Sequence, residues 1–496
     1  MKKLLAMFPT MTLLLGARPF AGAAFKDEGF IAAEYAKAVA AMSEQGIING
    51  FKDGSFRPKK PLTRAQAAKI LCVMLEGEEK ANALAKTETG FSDVPATHWA
   101  AKYVAYCVDK GIIAGVGNGK FDPDAQLSSA AFAKMLLVAY GKGGDGFTGA
   151  EWLQNVQAAA EQTFLLYNLA DKVTTGSIER QKAAQMAFNA KFQADAEADK
   201  AKGDSRTMPI EVPETMKLFV IGNSYGNDCS ISYLWNILKE LGVKDLTIGT
   251  LYYSGCRYRQ HVNFFLQDQP VYKYYKNTTG NLATKAKVTF DESIADEDWT
   301  HIMMLHGTSG HEKEFAPIPW QDLVIAYVRK THPNAYLGYD MTWPFRADGN
   351  HSKAMKASLD TNYGGDRMKM WESLIATTKN FAETEERFKF IVPVGTAVMN
   401  AHSSFLGDGV YRDSTSHLNK GVGRYVATIM VACTLTGCSP DQISYLPEEL
   451  LEYMPGELSK DKPGILEAFG KVAKESVKNA LAKPYEVTPS QYKTAP

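Results

Sequence analysis

Apolar and polar positions follow two different rhythms along this chain. Over the first 190 residues the apolar side chains recur every three to four positions, a spacing that lines one face of a helix. Tyr35 to Gln45 and Ala100 to Lys110 read as amphipathic helices, with Gly46 and Gly111 as their C-caps. A glycine-rich loop follows each, holding the turn signals Asp53-Gly54 and Asn118-Gly119. A second helix then starts at Thr63 or Ser128. Thr63-Arg64-Ala65-Gln66 fits a capping box, with Thr63 as N-cap and Gln66 three residues on.

The two stretches are copies. Gly46 to Gly50 returns as Gly111 to Gly115, 65 residues later, and the same offset maps Phe56 on Phe121, Pro58 on Pro123 and Leu62 on Leu127. A third, worn copy follows: Ile178 to Ala184 resembles Leu62 to Ala68, with Arg180 on Arg64. A helix-loop-helix unit cannot bury a core alone, so the copies are expected to pack on one another. Ala194 to Thr215 lacks a strong apolar face and carries Pro209 and Pro213; it reads as a helix end and an exposed linker.

From Met216 the rhythm becomes that of buried strands alternating with helices. Lys217 to Ile221, Leu246 to Tyr252, His301 to Leu305, Ala335 to Tyr339 and Phe388 to Val394 are short apolar runs. Helical patterns lie between them, so a parallel sheet covered on both faces is expected. Gly222-Asn223-Ser224-Tyr225 follows the first run and precedes a helical pattern from Cys229 to Leu241, which puts Ser224 at the carboxyl end of a strand. Pro463 to Leu481 reads as an amphipathic helix packed on this domain.

The chain ends and the composition add context. Lys2 and Lys3, the short apolar run Leu4 to Leu15 and the small residues Ala21 to Ala24 have the order of a cleavable secretory signal. The run is too short to span a bilayer, which takes about 20 residues, and no later stretch is long and apolar enough. Lys plus Arg and Asp plus Glu both number 55, a balance that gives no reason to expect nucleic acid or an anionic membrane as partner. No metal-ligand spacing appears among the histidines and six cysteines, and no cofactor is expected. Cys72 and Cys107 sit in apolar helical patterns and read as buried thiols, while Cys433 and Cys438 are close enough in sequence to close a small loop.

Phe91-Ser92-Asp93-Val94 followed by His98-Trp99-Ala100 resembles the opening of a surface-layer homology repeat. Thr63-Arg64-Ala65-Gln66 resembles that family's Thr-Arg-Ala-Glu motif, with Gln for Glu. The resemblance implies one all-α helical module of three repeats that holds pyruvylated secondary wall polysaccharide. By this resemblance Arg64 and Arg180 contact the acidic ligand, as suits a guanidinium. The second repeat has Ser128-Ser129-Ala130-Ala131 and no arginine there. Trp99 either stacks on a sugar or packs in the core.

A serine hydroxyl needs a base within reach and donors for the oxyanion. His417 is the candidate base, with Asp413 near enough in sequence to orient it. Ile221-Gly222-Asn223-Ser224 resembles the first block of the SGNH hydrolases, Gly255 their oxyanion-hole glycine, and Asp413 with His417 their final Asp-x-x-His block. The resemblance covers residues 215 to 490. It implies a flavodoxin-like α/β domain and metal-free hydrolysis of esters, typically acyl groups on carbohydrate. It also makes the loops of Cys229 and Cys256 neighbours, which suggests a disulfide there. Two departures stand out. Asp413 and His417 are separated by four positions instead of three, and the third-block asparagine has no match; His306 stands in its place as an alternative oxyanion donor.

The expected organisation is a signal peptide (1–24), repeats at 25–88, 89–148 and 149–192, a linker (193–214) and the hydrolase-like domain (215–496). Two functions fit this organisation: a wall-anchored carbohydrate esterase, and a non-catalytic envelope-tethering protein whose degenerate SGNH fold binds glycans or partners.

Overall fold

The computed structural model describes residues 25–496 except 171, 308–316, 454–457 and 459–461. The signal peptide expected at 1–24 lies outside the described residues. The chain divides into two compact units between Ala201 and Lys202.

The first unit is built from the helices Ala33–Glu44, Arg64–Glu76, Ala101–Asp109, Ser129–Ala139, Trp152–Glu161 and Arg180–Lys202, with short turns between them. Gly46 and Gly111 adopt φ of 66° and 68°, the left-handed conformation that a C-cap requires. Thr63 and Gln66 form the expected capping box at the start of Arg64–Glu76. The unit is not purely helical as expected, because isolated β-bridges zip its repeats together at Pro61–Glu179, Thr63–Gln126 and Ser128–Ser177. At its centre three equivalent residues close a ring of backbone hydrogen bonds. Leu62 N–H donates to Ile178 at 2.9 Å, Ile178 to Leu127 at 2.9 Å, and Leu127 to Leu62 at 2.8 Å. All three side chains are buried. Ile178 thus occupies the position that Leu62 and Leu127 occupy in the first two copies. The last helix runs on to Lys202, so the first residues of the expected linker are helical.

The second unit holds a seven-stranded sheet: β1 (Thr215–Gly222), β2 (Asp245–Tyr252), β3 (Tyr272–Asn277), β4 (Leu282–Val288), β5 (His301–Leu305), β6 (Tyr336–Asp340) and β7 (Phe388–Val392). Its order is β4-β3-β2-β1-β5-β6-β7. Five strands are parallel, as the alternating pattern predicts. The expectation of an all-parallel sheet fails at one edge: β3 runs antiparallel to β2, and β4 antiparallel to β3. The cause is local. Asn277 caps a tight turn by accepting the Gly280 N–H at 2.8 Å, and Gly280 takes a φ of 91°, so the chain folds back as a hairpin instead of crossing over. The sheet is therefore mixed.

β1 lies between β2 and β5, where the strand order reverses direction. In open α/β sheets ligands bind outside the carboxyl end of such a strand. The helical stretch expected after β1 forms as two helices, Ser224–Ser230 and Leu234–Glu240. They join the long buried helix Val422–Thr436 and the C-terminal helix Ile465–Ala482 in the main core on one face of the sheet.

Candidate active site

Ser224 follows β1 directly and opens the helix Ser224–Ser230. Asn223 fixes this corner from both sides. Its Oδ1 accepts the Tyr225 N–H at 3.0 Å, and its Nδ2 donates to the Cys256 carbonyl at 3.0 Å. The loop carrying Gly255 is thereby tied to the loop carrying Ser224. Gly255 itself is exposed and adopts a φ of 63°, which a side chain would strain.

His417 meets the same corner through the residue after the serine. The Tyr225 ring lies 5.3 Å from the His417 ring, centroid to centroid, and 4.6 Å from Trp343. Trp343 is fully buried and donates from Nε1 to the Ser416 carbonyl at 2.9 Å. The segment before His417 is a closed turn. Ser416 N–H donates to the Asp413 carbonyl at 3.0 Å, and Arg412 N–H to the His417 carbonyl at 2.7 Å. Ser416 sits at a φ of 58°, a strained value for a residue with a side chain.

This turn answers how four positions separate Asp413 and His417. Asp413 Oδ1 is 3.9 Å from His417 Nδ1, beyond a hydrogen bond, so the direct pairing expected from sequence does not form. Thr415 stands between them. Its Oγ1 is 2.5 Å from His417 Nδ1, and it donates to Asp413 Oδ1. Having given its single proton to the carboxylate, the hydroxyl must accept from Nδ1–H. His417 Nε2 is then the acceptor; it is buried and has no hydrogen-bond partner among the described residues. Burial, with Arg412 and Arg424 adding to it, pushes the imidazole pKa down to about 4, so the ring is neutral at physiological pH. Asp413 stays ionised despite its partial burial, because hydrogen bonds from Thr415 and Arg412 hold its carboxyl below the usual range.

His306 lies just past β5 and is buried. Its Nδ1 is 3.0 Å from the Gly307 carbonyl, which can only accept. Nδ1 therefore donates to that carbonyl, so the oxyanion-donor role expected of His306 would fall to Nε2 and would require a doubly protonated ring.

Two buried carboxylates escaped the sequence reading. Asp228 accepts the Leu418 N–H at 2.9 Å and forms an ion pair with Arg424 Nη2 at 2.7 Å, so it holds the residue after His417. Asp340, at the carboxyl end of β6, accepts from the Cys229 thiol at 3.4 Å. Burial pushes its pKa up to about 7. That contact also bears on the suspected disulfide. Cys229 and Cys256 are not joined in a disulfide, Cys229 facing Asp340 and Cys256 its neighbour's carbonyl, although their loops are adjacent. Cys433 and Cys438 are not joined either.

In the first unit, Arg64 and Arg180 make the same contacts one repeat apart. Arg64 donates to the Phe121 and Ala114 carbonyls at 2.7 and 2.8 Å and lies over the Phe121 ring. Arg180 donates to the Phe56 and Asn49 carbonyls at 2.9 and 2.8 Å and lies over Phe51 and Phe56. They differ in access, for Arg64 is half-buried and Arg180 only 3% exposed. Ser129 takes the corresponding place in the second repeat and bonds the Thr174 carbonyl at 3.1 Å. Trp99 is 52% exposed, beside His98 and Tyr103, and is not a core residue. Among the described residues no helix is long and apolar enough to cross a membrane, and no cluster of three acidic, His or Cys side chains could hold a metal ion.

Comparison with known proteins agrees with this division. The S-layer homology domain matches residues 24–68 and 90–133, and a domain of unknown function (DUF4886) matches residues 217–454. The chain is 34% identical over 175 residues to a cell surface protein of Thermoanaerobacter kivui, covering 34% of this chain and 22% of that protein. It is 30% identical over 187 residues to S-layer protein EA1 of Bacillus anthracis, covering 36% and 21% respectively. It is 35% identical over 99 residues to a cellulosome-anchoring protein of Acetivibrio thermocellus, covering 20% and 22%. This chain thus spans about a fifth of the length of these relatives. A crystal structure of a DUF4886 family protein from Bacteroides uniformis is 26% identical and superposes with a TM-score of 0.48, over 56% of this chain and 100% of that one. The protein carries S-layer homology domains and a DUF4886 domain, and it is a surface protein attached to the cell wall.

Proposed function

We propose that the second unit is a serine esterase of the SGNH type, held at the wall by the first unit, and that it removes acyl groups from carbohydrate. The observation that carries this reading is His417. Its Nδ1 is engaged by Thr415, while its Nε2 is buried and without a hydrogen-bond partner among the described residues. A buried acceptor left unpaired costs roughly 1–3 kcal/mol, and such groups call for a reason. A general base waiting for the proton of Ser224 supplies one.

In the proposed reaction Ser224 Oγ bonds to the ester carbonyl carbon as its proton passes to His417 Nε2. The oxyanion is met by backbone N–H groups of the Ser224 and Gly255 loops. His417 returns the proton to the departing sugar hydroxyl, leaving the acyl group on Ser224. Water, deprotonated by the same nitrogen, then releases the acid. The first unit, in this reading, binds pyruvylated secondary wall polysaccharide. Arg64 meets the carboxylate and Trp99 stacks on a sugar ring, which brings the esterase to its acylated substrate.

The test is p-nitrophenyl acetate hydrolysis by the whole chain, wild type beside Ser224→Ala. Activity that Ser224→Ala lowers by orders of magnitude is expected, since the nucleophile carries the covalent step. Equal rates in the two proteins, confirmed on acetylated wall glycan, would mean a non-catalytic domain that binds carbohydrate.

A further inference from the structure

We infer that Thr415 is a positioning residue of this site, its hydroxyl bridging Asp413 to His417 in place of a direct carboxylate-imidazole bond. The inference rests on the esterase reading for its catalytic consequence and on geometry for its existence. Asp413 Oδ1 and His417 Nδ1 are 3.9 Å apart, too far to bond, yet Thr415 Oγ1 reaches both. The turn is shaped to allow this. The extra position is absorbed by Ser416, which takes a φ of 58° and is fully buried. Trp343 Nε1 holds the Ser416 carbonyl, and Ser416 Oγ accepts the Arg346 N–H at 3.1 Å. Asp413 Oδ1 also accepts the Thr415 N–H at 2.9 Å, which fixes the threonine over the carboxylate.

The direction of each bond follows from proton counting. A carboxylate only accepts, so the Thr415 proton points to Asp413. The hydroxyl oxygen is then an acceptor toward Nδ1–H, which forces the tautomer that leaves Nε2 bare. When His417 takes the Ser224 proton, Nδ1–H stays on the imidazole and its bond to Thr415 shortens. The carboxylate stabilises the imidazolium through the hydroxyl, and no proton leaves the chain. The other charges facing this ring are Arg412 on its own turn and Arg424 on the helix behind it, both of which oppose the imidazolium. Asp228, tied to Leu418, is engaged by Arg424. Thr415 is thus the route by which negative charge reaches Nδ1.

The experiment uses the full chain with Thr415→Val, Thr415→Ser, Asp413→Asn and the Val/Asn double variant. Two readouts are needed. The first is the His417 ring nitrogen signals in 15N NMR, assigned with His417→Gln. Wild type and Thr415→Ser should show the Nδ1–H tautomer, and Thr415→Val a mixture or the Nε2–H form. The second is kcat and KM on p-nitrophenyl acetate. Thr415→Val should lower kcat by about ten- to a hundredfold with KM little changed, the size of one lost bond to a group that becomes charged. Thr415→Ser should recover most of that loss. Asp413→Asn should cost a similar factor, and the double variant little more, because both changes cut one chain. An unchanged tautomer in Thr415→Val overturns the inference, as does equal loss of kcat in the Val and Ser variants. If wild type and Ser224→Ala are equally inert, the esterase reading fails, and the tautomer alone decides whether the bridge exists.

Discussion

Asp228 accepts the backbone N–H of Leu418 at 2.9 Å, so the helix that begins with Ser224 holds the residue next to His417. The same carboxylate is 1% exposed and faces Arg424 at 2.7 Å. Removing it leaves a buried guanidinium uncompensated. Asp228→Ala is expected to lower stability by about 3–5 kcal/mol, the usual cost of breaking one side of a buried pair. Asp228→Asn keeps an acceptor for Leu418 and should cost less. Denaturant unfolding of both variants checks this, and an Asp228→Ala protein as stable as wild type would contradict it.

The largely buried His417 ring makes a claim about pH. Burial disfavours the imidazolium and brings the pKa from 6.5 down to about 4. A protonated base cannot accept the Ser224 proton, so esterase activity should be lost only as pH falls through about 4 and stay level through neutral pH. The measurement is kcat/KM on p-nitrophenyl acetate against pH, with circular dichroism to confirm that the fold persists. A midpoint near 6.5 would mean that His417 is solvated or is not the base.

Asp340 predicts a stability change of opposite sense to that of a salt-bridged acid. Its folded pKa, about 7, lies above the ordinary 3.8, so the folded chain holds a proton that the unfolded chain releases. This favours the fold below pH 4, and the advantage fades as pH rises through 7. The rise from 3.8 to about 7 corresponds to about 4 kcal/mol. Asp340→Asn keeps the shape without the titration, so the slope between pH 4 and 7 should flatten for the transition of the second unit. Parallel pH profiles for wild type and variant would show that Asp340 keeps an ordinary pKa.

The sequence carried what depends on local pattern. The five parallel strands, the capping box at Thr63 and the left-handed glycines 46 and 111 all follow from residue type and spacing. The β3–β4 hairpin was signalled by Gly280-Asn281 but masked by Lys-rich strands, whose exposed edge lacks an apolar rhythm. The Thr415 bridge was out of reach, because it depends on Ser416 entering a conformation that serine rarely adopts. Asp228 and Asp340 look like ordinary polar residues until burial is known. The suspected Cys229–Cys256 disulfide failed for a related reason: neighbouring loops do not fix the direction of a side chain, and Cys229 turns to Asp340.

The two arginines of the first unit should part company when mutated. Arg180 is 3% exposed, and its guanidinium satisfies the carbonyls of Phe56 and Asn49 in the neighbouring repeat. Burial lowers its pKa to about 10, still far above neutrality, so it remains charged and bound in place. Arg180→Ala strips both carbonyls of their partner and should lower the stability of the module by about 2–5 kcal/mol. Arg64 makes the equivalent bonds with a half-exposed side chain, and the proposed function has it meet a ligand carboxylate. Arg64→Ala should therefore cost less stability than Arg180→Ala, since water can reach the freed Ala114 carbonyl, and should weaken sedimentation with pyruvylated wall polymer by about tenfold or more, as befits loss of a charge-assisted pair. Melting curves and wall-binding isotherms on the same samples separate the two roles. Full wall binding by a folded Arg64→Ala protein would remove Arg64 from the ligand site.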